Sequence, residues 1–452
     1  MAFVALLKPL VRISSHITID YNEGWNAYFA DQAVKGQQIY QPLDALVLNN
    51  YPPLSFHIVG SMGRIVGDTI IGGRILSLIG LMVVAIMVAA IVHRCTGSLF
   101  YGTTGALLLL GYMGVYHSDY IGMNDPQWLA QGCMLTGLVV FLHRQRLRHG
   151  LMLAALIMML AGFMKHSFLA IPLGCTLWLW VFERGTVLRW LAVSGLFLAT
   201  GLLSLYFAYG WQAFVDIFAC PRAYYIGLLA WAGDWLQPAT LYIVCSVFLA
   251  LVDRSREIRL LLIITLTSLI IGVFALGGTG IYKNMLFEFV SLIITLSAIG
   301  LNRLENHAKG GQMALVLGVL ALALPFAMLL PRQVYITRNW IKELPAIQRA
   351  TADDVDRVAR VSGPVMCENL AVSYWARKPF SVDNFTLGQK VMTGKMDPRL
   401  IDDLIDRKHF ALIQLDDSEG KSYRLPAGTL KKILEKYSLG WISRENGMFL
   451  VR

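Results

Sequence analysis

The groups in this sequence that could do chemistry sit where acidic and basic residues interrupt apolar runs. Asp20 and Glu23 stand three apart, a spacing that puts both carboxylates on one helical face. Such a pair can supply a general base or hold a metal ion. The same spacing is a capping box, with Asp20 at N-cap and Glu23 reaching back to it. A cap also fixes a carboxylate in place, so the two readings are compatible. A second acidic segment, His117–Pro126, ends in Asp125-Pro126. That dipeptide reads as an N-cap followed by a proline at the first helical position. Asp125 is also a third candidate catalytic carboxylate. If a divalent cation (Mg or Mn) takes part, Asp20 and Asp125 are its candidate ligands. No HxxxH or HExxH spacing adds a histidine site, and no other cofactor is indicated.

Three cations are candidates for holding a phosphate. Lys165 closes the apolar run Leu151–Met164 and is followed by His166. Arg222 lies in Cys220-Pro-Arg-Ala-Tyr224-Tyr225, where an arginine beside tyrosines suits a phosphate or a sugar ring. Lys283 immediately precedes Asn284. A lysine at a helix end also snorkels toward the interface, and tyrosines also suit an interfacial belt. Tyr51, His166, Tyr224 and Asn284 are the candidate substrate contacts. Tyr51 opens Tyr51-Pro52-Pro53, where two prolines fix φ and stop the loop. Glu288 sits inside an apolar run, where an ionisable group is costly and is a functional candidate by default.

What must position these groups follows from composition. The chain has 452 residues, 56% apolar and 15% charged. Up to Pro331 there are 33 charges in 331 residues, and after it 35 in 121. That split excludes intrinsic disorder and a single soluble domain. It predicts a polytopic α-helical membrane part over 1–331 and a small soluble α/β domain over 332–452. The six cysteines form no CxxC pair, so neither a zinc site nor a disulfide scaffold is expected. The net charge of +10 is spread in short clusters without a recognition motif, so no nucleic-acid partner is expected.

A spanning helix takes about 20 mainly apolar residues. Ten runs qualify, at roughly 73–92, 99–117, 126–142, 151–164, 167–182, 187–208, 238–252, 259–276, 285–301 and 312–331. Basic loop residues stay cytoplasmic. One set of alternate loops carries Arg94, Arg144, Arg146, Arg148, Arg184, Arg189, Arg254, Arg256, Arg259, Arg303 and Lys309. The other set carries only Lys165, Arg222 and Lys283. The segments 16–72, 119–125 and 209–237 and the tail are therefore expected outside, in the periplasm if the cell is bacterial. Before Asp20, Lys8, Pro9 and Arg12 interrupt the apolar run, so a first span of full length is not encoded. The expectation is that this anchor is lost through a misassigned or trimmed start. A helix over about 22–35 is expected to lie at the membrane surface.

In the tail, strand signals at Val365–Glu368, Phe380–Asp383, Phe410–Leu415 and Trp441–Val451 alternate with helical ones at Leu370–Arg377, Pro398–Lys408 and Leu430–Tyr437. That alternation predicts a largely parallel sheet. No GxGxxG or GxxxxGK[ST] occurs in it, so nucleotide binding is unsupported.

The string Asp20-Tyr-Asn-Glu23-Gly-Trp, then Asn50-Tyr51-Pro52-Pro53-Leu54, then Arg74-Ile-Leu-Ser77, resembles the GT-C glycosyltransferases of membranes. The nearest likeness is to their RgtA/B/C/D-like and protein-mannosyltransferase-like branch. Asn124-Asp125-Pro126, Lys165 after a span, and Gly277-Gly278 followed by Asn284 continue the same order. The likeness covers most of the chain. It implies a GT-C fold of about 10–11 membrane helices with interfacial loop helices. It also implies sugar transfer from a polyprenyl-phosphate donor to a glycan, lipid or protein acceptor, with a loop carboxylate as base. Two other functions fit the same composition. A transporter or flippase of a lipid-linked sugar would favour inverted repeats, and no internal repeat is visible. A non-catalytic scaffold would use its tail to hold a cell-envelope partner.

Overall fold

The computed structural model describes residues 1–308 and 310–452. Lys309, counted above among the basic loop residues, lies outside the described residues. The amino-terminal part is helical: α1 (Ala2–Arg12), α2 (Asn22–Val34), α3 (Leu54–Val66), α4 (Thr69–Thr96), α5 (Leu99–Tyr116), α6 (Gln127–Leu142), α7 (Gly150–Met164) and α8 (Ala170–Phe182). It continues with α9 (Arg184–Tyr209), α10 (Gln212–Phe218), α11 (Trp231–Leu236), α12 (Thr240–Val252), α13 (Arg256–Ala275), α14 (Phe287–His307) and α15 (Gly311–Arg360).

All ten apolar runs are helical. Among the described residues seven segments are long and apolar enough to cross a membrane: α4, α5, α9, α13, α15 and the continuous runs Ile226–Val252 and Lys283–His307. The helices matching the runs at 126–142, 151–164 and 167–182 are shorter. The chain is a multi-pass membrane protein, and its helices differ in what they face. The run containing α14 is 89% buried and is wrapped by α4, α5, α12, α13 and α15. That containing α9 is 6% buried, so its apolar surface is left for lipid.

Helix α2 forms where a helix over about 22–35 is expected, and its Trp25, Tyr28, Phe29 and Ala30 are all buried. Small residues allow its close packing. A Cβ on Gly24 would stand 2.2 Å from the Leu370 carbonyl carbon, and one on Gly60 of α3 would stand 2.4 Å from Ala30 O. The division at 331/332 falls inside α15, a 50-residue helix that runs on through Pro325, Pro331 and Pro345. The short helix α1 carries Arg12 at its end. It packs on α5, where Ala5 sits against Gly114.

The globular end comprises β1 (Val365–Cys367), α16 (Leu370–Trp375), α17 (Asn384–Met392), α18 (Arg399–Asp406), β2 (Leu412–Leu415), α19 (Ala427–Lys436), β3 (Ser438–Ser443) and β4 (Gly447–Val451). Its sheet order is β1-β2-β4-β3, with β1 and β2 parallel and the other two pairs antiparallel. The sheet is therefore mixed, because the expected last strand is a hairpin turning at Asn446-Gly447. Gly447 has φ +71°, and a Cβ there would meet Leu415 O at 2.2 Å. Nor is Phe380–Asp383 a strand. Asp383 instead caps α17, accepting from Phe385 N at 3.1 Å and Thr386 N at 3.2 Å.

The contact at Gly24 is one of those that seat this domain on the membrane part. Gly24→Val is expected to cost about 1–3 kcal/mol through overpacking. It should make the 332–452 region cleave faster in limited proteolysis. Unchanged cleavage would mean that α16 is not held there.

Candidate active site

The site is built around a buried ion pair. Arg74 of α4 and Glu23 of α2 have fully buried side chains. Arg74 Nε donates to Glu23 Oε1 at 2.8 Å and Nη2 donates to Oε2 at 2.6 Å. The guanidinium also donates to Ser15 O and Ile17 O at 2.6 Å and to Arg12 O at 3.3 Å. Glu23 accepts further from Ile19 N at 3.1 Å and Asn124 N at 3.0 Å. Its reach back thus ends at Ile19 and not at Asp20, so the expected capping box is offset by one residue. Arg12 extends the network, donating to Ser118 O, Asp119 O and Ile121 O between 2.6 and 2.9 Å. Together the two arginines fasten the segment after α1, the start of α2 and the 118–125 loop into one rigid rim.

On that rim stand the reactive candidates. Asp20 is half-buried, and one of its oxygens, Oδ1, accepts from Asn22 N at 2.9 Å. Among the described residues its other oxygen has no hydrogen-bond partner. Burial pushes the Asp20 carboxyl up to about 6, aided by Glu23 and Asp125 and opposed by the Asn22 N–H and Arg424. Asp125 Oδ1 accepts from Gln127 N at 2.8 Å, as an N-cap would, and from Lys165 Nζ at 2.9 Å. Both partners of the Lys165–Asp125 pair are nearly fully buried. Lys165 also lies 5.3 Å from the Tyr51 ring centroid. With its amide turned toward Lys165, Asn284 accepts from Nζ at 3.2 Å. Burial alone would push the Lys165 ammonium down, but Asp125 and Tyr51 hold it above the ordinary lysine value. His166 is pushed down to about 4 by burial, then by Lys165 and Arg222, so it is neutral at pH 7. Its ring stands 6.4 Å from that of Tyr51.

Of the three predicted phosphate cations, Lys283 is spent on Asp119, at 2.8 Å. Arg222 makes no ion pair among the described residues; its guanidinium lies 5.7 Å from the Phe385 ring. Its charge reaches Tyr51, Tyr21 and His166, which places it by the same cluster. Tyr224 does not join it. Its hydroxyl donates to Phe274 O at 3.0 Å and its ring covers Gly277, so it ties two loops together at the surface. Sequence reasoning named no role for Arg12, Arg74, Asn124 or Gln127. A polar residue inside an apolar run, as Arg74 is, was the available signal.

The ligands expected if a divalent cation takes part are Asp20 and Asp125, and Asp125 Oδ1 is already held by Lys165. Among the described residues, no group of three or more His, Cys, Asp or Glu side chains could hold one unaided. A cleft of about 960 Å³ lies elsewhere along α2, lined by Asp31, Asp68, Tyr374 and Trp375 among others. None of the predicted site residues lines it.

No family model and no curated protein matches this sequence. Solved structures do. The chain is similar to ArnT from Cupriavidus metallidurans bound to undecaprenyl phosphate, with a TM-score of 0.59 at 14% identity, over 99% of this chain and 96% of that one. It is also similar to the Archaeoglobus fulgidus oligosaccharyltransferase tethered with an acceptor peptide containing the NVT sequon. That match has a TM-score of 0.58 at 11% identity, over 99% of this chain and 73% of the other. The fold of this chain is that of these two structures. Identities this low carry the fold and leave the site to its own geometry.

Proposed function

We propose that this chain transfers a sugar from a polyprenyl-phosphate donor to a glycan, lipid or protein acceptor. The setting is the outer face of a bacterial cytoplasmic membrane, with the C-terminal domain in the periplasm. The observation that carries this reading is the division of labour among the carboxylates. Glu23 spends both oxygens on Arg74 and two backbone N–H groups, so it positions the rim. Asp125 holds Lys165. Asp20 alone of the three holds no cation in an ion pair among the described residues, and on that ground we take it as the base. Its oxygen takes the proton of the acceptor hydroxyl as the acceptor oxygen bonds to the anomeric carbon. The bond from that carbon to the phosphate oxygen breaks, and the lipid phosphate leaves carrying the electron pair. Lys165 and the unpaired Arg222 are the cations for that developing charge. Tyr51, His166 and Asn284 line the approach. The undecaprenyl phosphate in the ArnT structure and the acceptor peptide in the oligosaccharyltransferase structure support a lipid-linked donor and an acceptor of this general kind.

The test is incubation of the purified protein in liposomes with a panel of polyprenyl-phosphate hexoses and pentoses and membrane-extracted acceptors. Transfer should release free polyprenyl phosphate, and Lys165→Met should raise the donor KM about 10- to 100-fold, equivalent to about 1.4–2.8 kcal/mol of lost charge-assisted hydrogen bonding. Movement of lipid-linked sugar across the bilayer without any transfer product would instead identify a flippase.

A further inference from the structure

The C-terminal domain is joined to the site by a short chain of stacked rings and guanidinium groups. Helix α17 is seated in three loops of the membrane part. Lys390 Nζ donates to Ala45 O at 2.5 Å, Asp383 N donates to Leu46 O at 2.9 Å, and Ala223 N donates to Gln389 Oε1 at 3.0 Å. Phe385, at the start of α17, lies on Gly280. The backbone there has φ +74°, and a Cβ would stand 2.2 Å from Phe385 Cζ, so glycine is what admits the ring. Phe385 meets the Tyr21 ring at 6.1 Å. On Tyr21 lies the guanidinium of Arg424, 4.4 Å from the ring centroid. Arg424 is itself anchored by an ion pair with Asp416.

Tyr21 is the covalent neighbour of Asp20. Because the hydrogen bond to Asp20 comes from the Asn22 backbone alone, its aim depends on where residues 20–22 are held. We propose that Arg424 is a positioning residue for the reaction: stacked on Tyr21 and anchored in the C-terminal domain, it fixes Asp20 and presents a positive charge to it. The C-terminal domain is then part of the active site and not a detached cover. The charged groups around Asp20 are Arg424 from this domain, Glu23 from α2 and Asp125 before α6. Around Tyr21 they are Arg424, Arg222, Asp383 and Asp20. Arg424 is thus the cation that offsets two neighbouring carboxylates.

The kinetic part of this inference rests on Asp20 being the base, so its test reads Asp20 in two ways. In the full-length purified chain, carbodiimide labelling of Asp20 followed by mass spectrometry gives its titration midpoint without any turnover. Arg424→Gln should raise that midpoint by about one pH unit, and Arg424→Lys should restore it. In the transfer assay the pH profile should move the same way, with kcat down about 10-fold and the donor KM unchanged. If Arg424→Gln does not fold, Asp416→Asn frees the guanidinium from its anchor and is read in the same way. An unmoved labelling midpoint in the folded variant would overturn the proposal. A moved midpoint in protein that transfers no sugar, wild type included, would uphold Arg424 and remove the transfer reading instead.

Discussion

Replacing Arg74 with methionine is expected to cost about 3–5 kcal/mol, the usual penalty for removing one partner of a buried ion pair. That is a large part of the stability of an ordinary domain, so little folded protein should survive extraction. The reason is what would be left behind. Glu23 would keep its Ile19 and Asn124 N–H donors but lose both charged ones, in a site from which water is excluded. The carbonyls of Arg12, Ser15 and Ile17 would lose a shared donor. Each buried polar group left without a partner adds to the cost. The control is Arg74→Met with Glu23→Leu, which removes the stranded charge along with its partner. This double variant should recover part of the loss, because an apolar pair can replace a buried ion pair. It should not recover all of it, since Ile17 O loses its Arg74 donor and Arg12 O and Ser15 O keep only the backbone donors Ser15 N and Ile17 N. The measurement is thermal unfolding of detergent-solubilised protein, followed by size-exclusion chromatography. An Arg74→Met protein as stable as wild type would show that the rim is held by something else.

How legible was this in the sequence? The membrane helices were, because each apolar run needs only its own residues to declare itself. The C-terminal strands were less so. Asn446-Gly447 is a strong hairpin signal, yet the apolar residues on both sides blur into one strand when read without it. Helix α2 stands at Asn22–Val34, within the expected bounds. Its small residues, Gly24, Ala27 and Ala30, lie among aromatic ones on all sides, a pattern that fits a helix buried on every face. Of the site, the acidic loops, Lys165 and Arg222 were visible as residue types in suggestive places. Their pairing was not. That Lys283 is consumed by Asp119, Lys165 is shared with Asp125 and Arg222 is left over depends on contacts between residues 164 and 40 apart in sequence. The same holds for Glu23 and Arg74, which are 51 apart. Spacing within a helix cannot tell a base from a structural carboxylate, but counting the cations each one holds can: among the described residues Glu23 holds Arg74, Asp125 holds Lys165 and Asp20 holds none.

Asp20→Asn tests that count most directly. The substitution keeps the shape of the side chain and the oxygen that accepts from Asn22 N, so only the proton-accepting charge is lost. Loss of a general base costs about 10²–10⁴-fold in kcat. The donor KM should hardly move, because the cations offered to the lipid phosphate are Lys165 and Arg222. The wild-type pH profile should carry the same signature. Burial raises Asp20 to about 6, and only its ionised form can take a proton. The rate should therefore be flat at high pH and fall about tenfold per unit below pH 6. His166, lowered to about 4, stays neutral through this window and does not contribute. Linkage fixes the sign for stability as well. A carboxyl whose folded pKa lies above its unfolded one weakens folding once pH exceeds the unfolded value of about 4. The penalty grows until pH passes about 6 and stays constant above it. Removing that charge should therefore leave the protein at pH 7.5 no less stable than wild type, and by direction slightly more so. A residue kept for structure would lose stability when changed; a base held in an unfavourable place loses rate and gains stability. If Asp20→Asn instead melts earlier and transfers sugar at the wild-type rate, the assignment of the base is wrong.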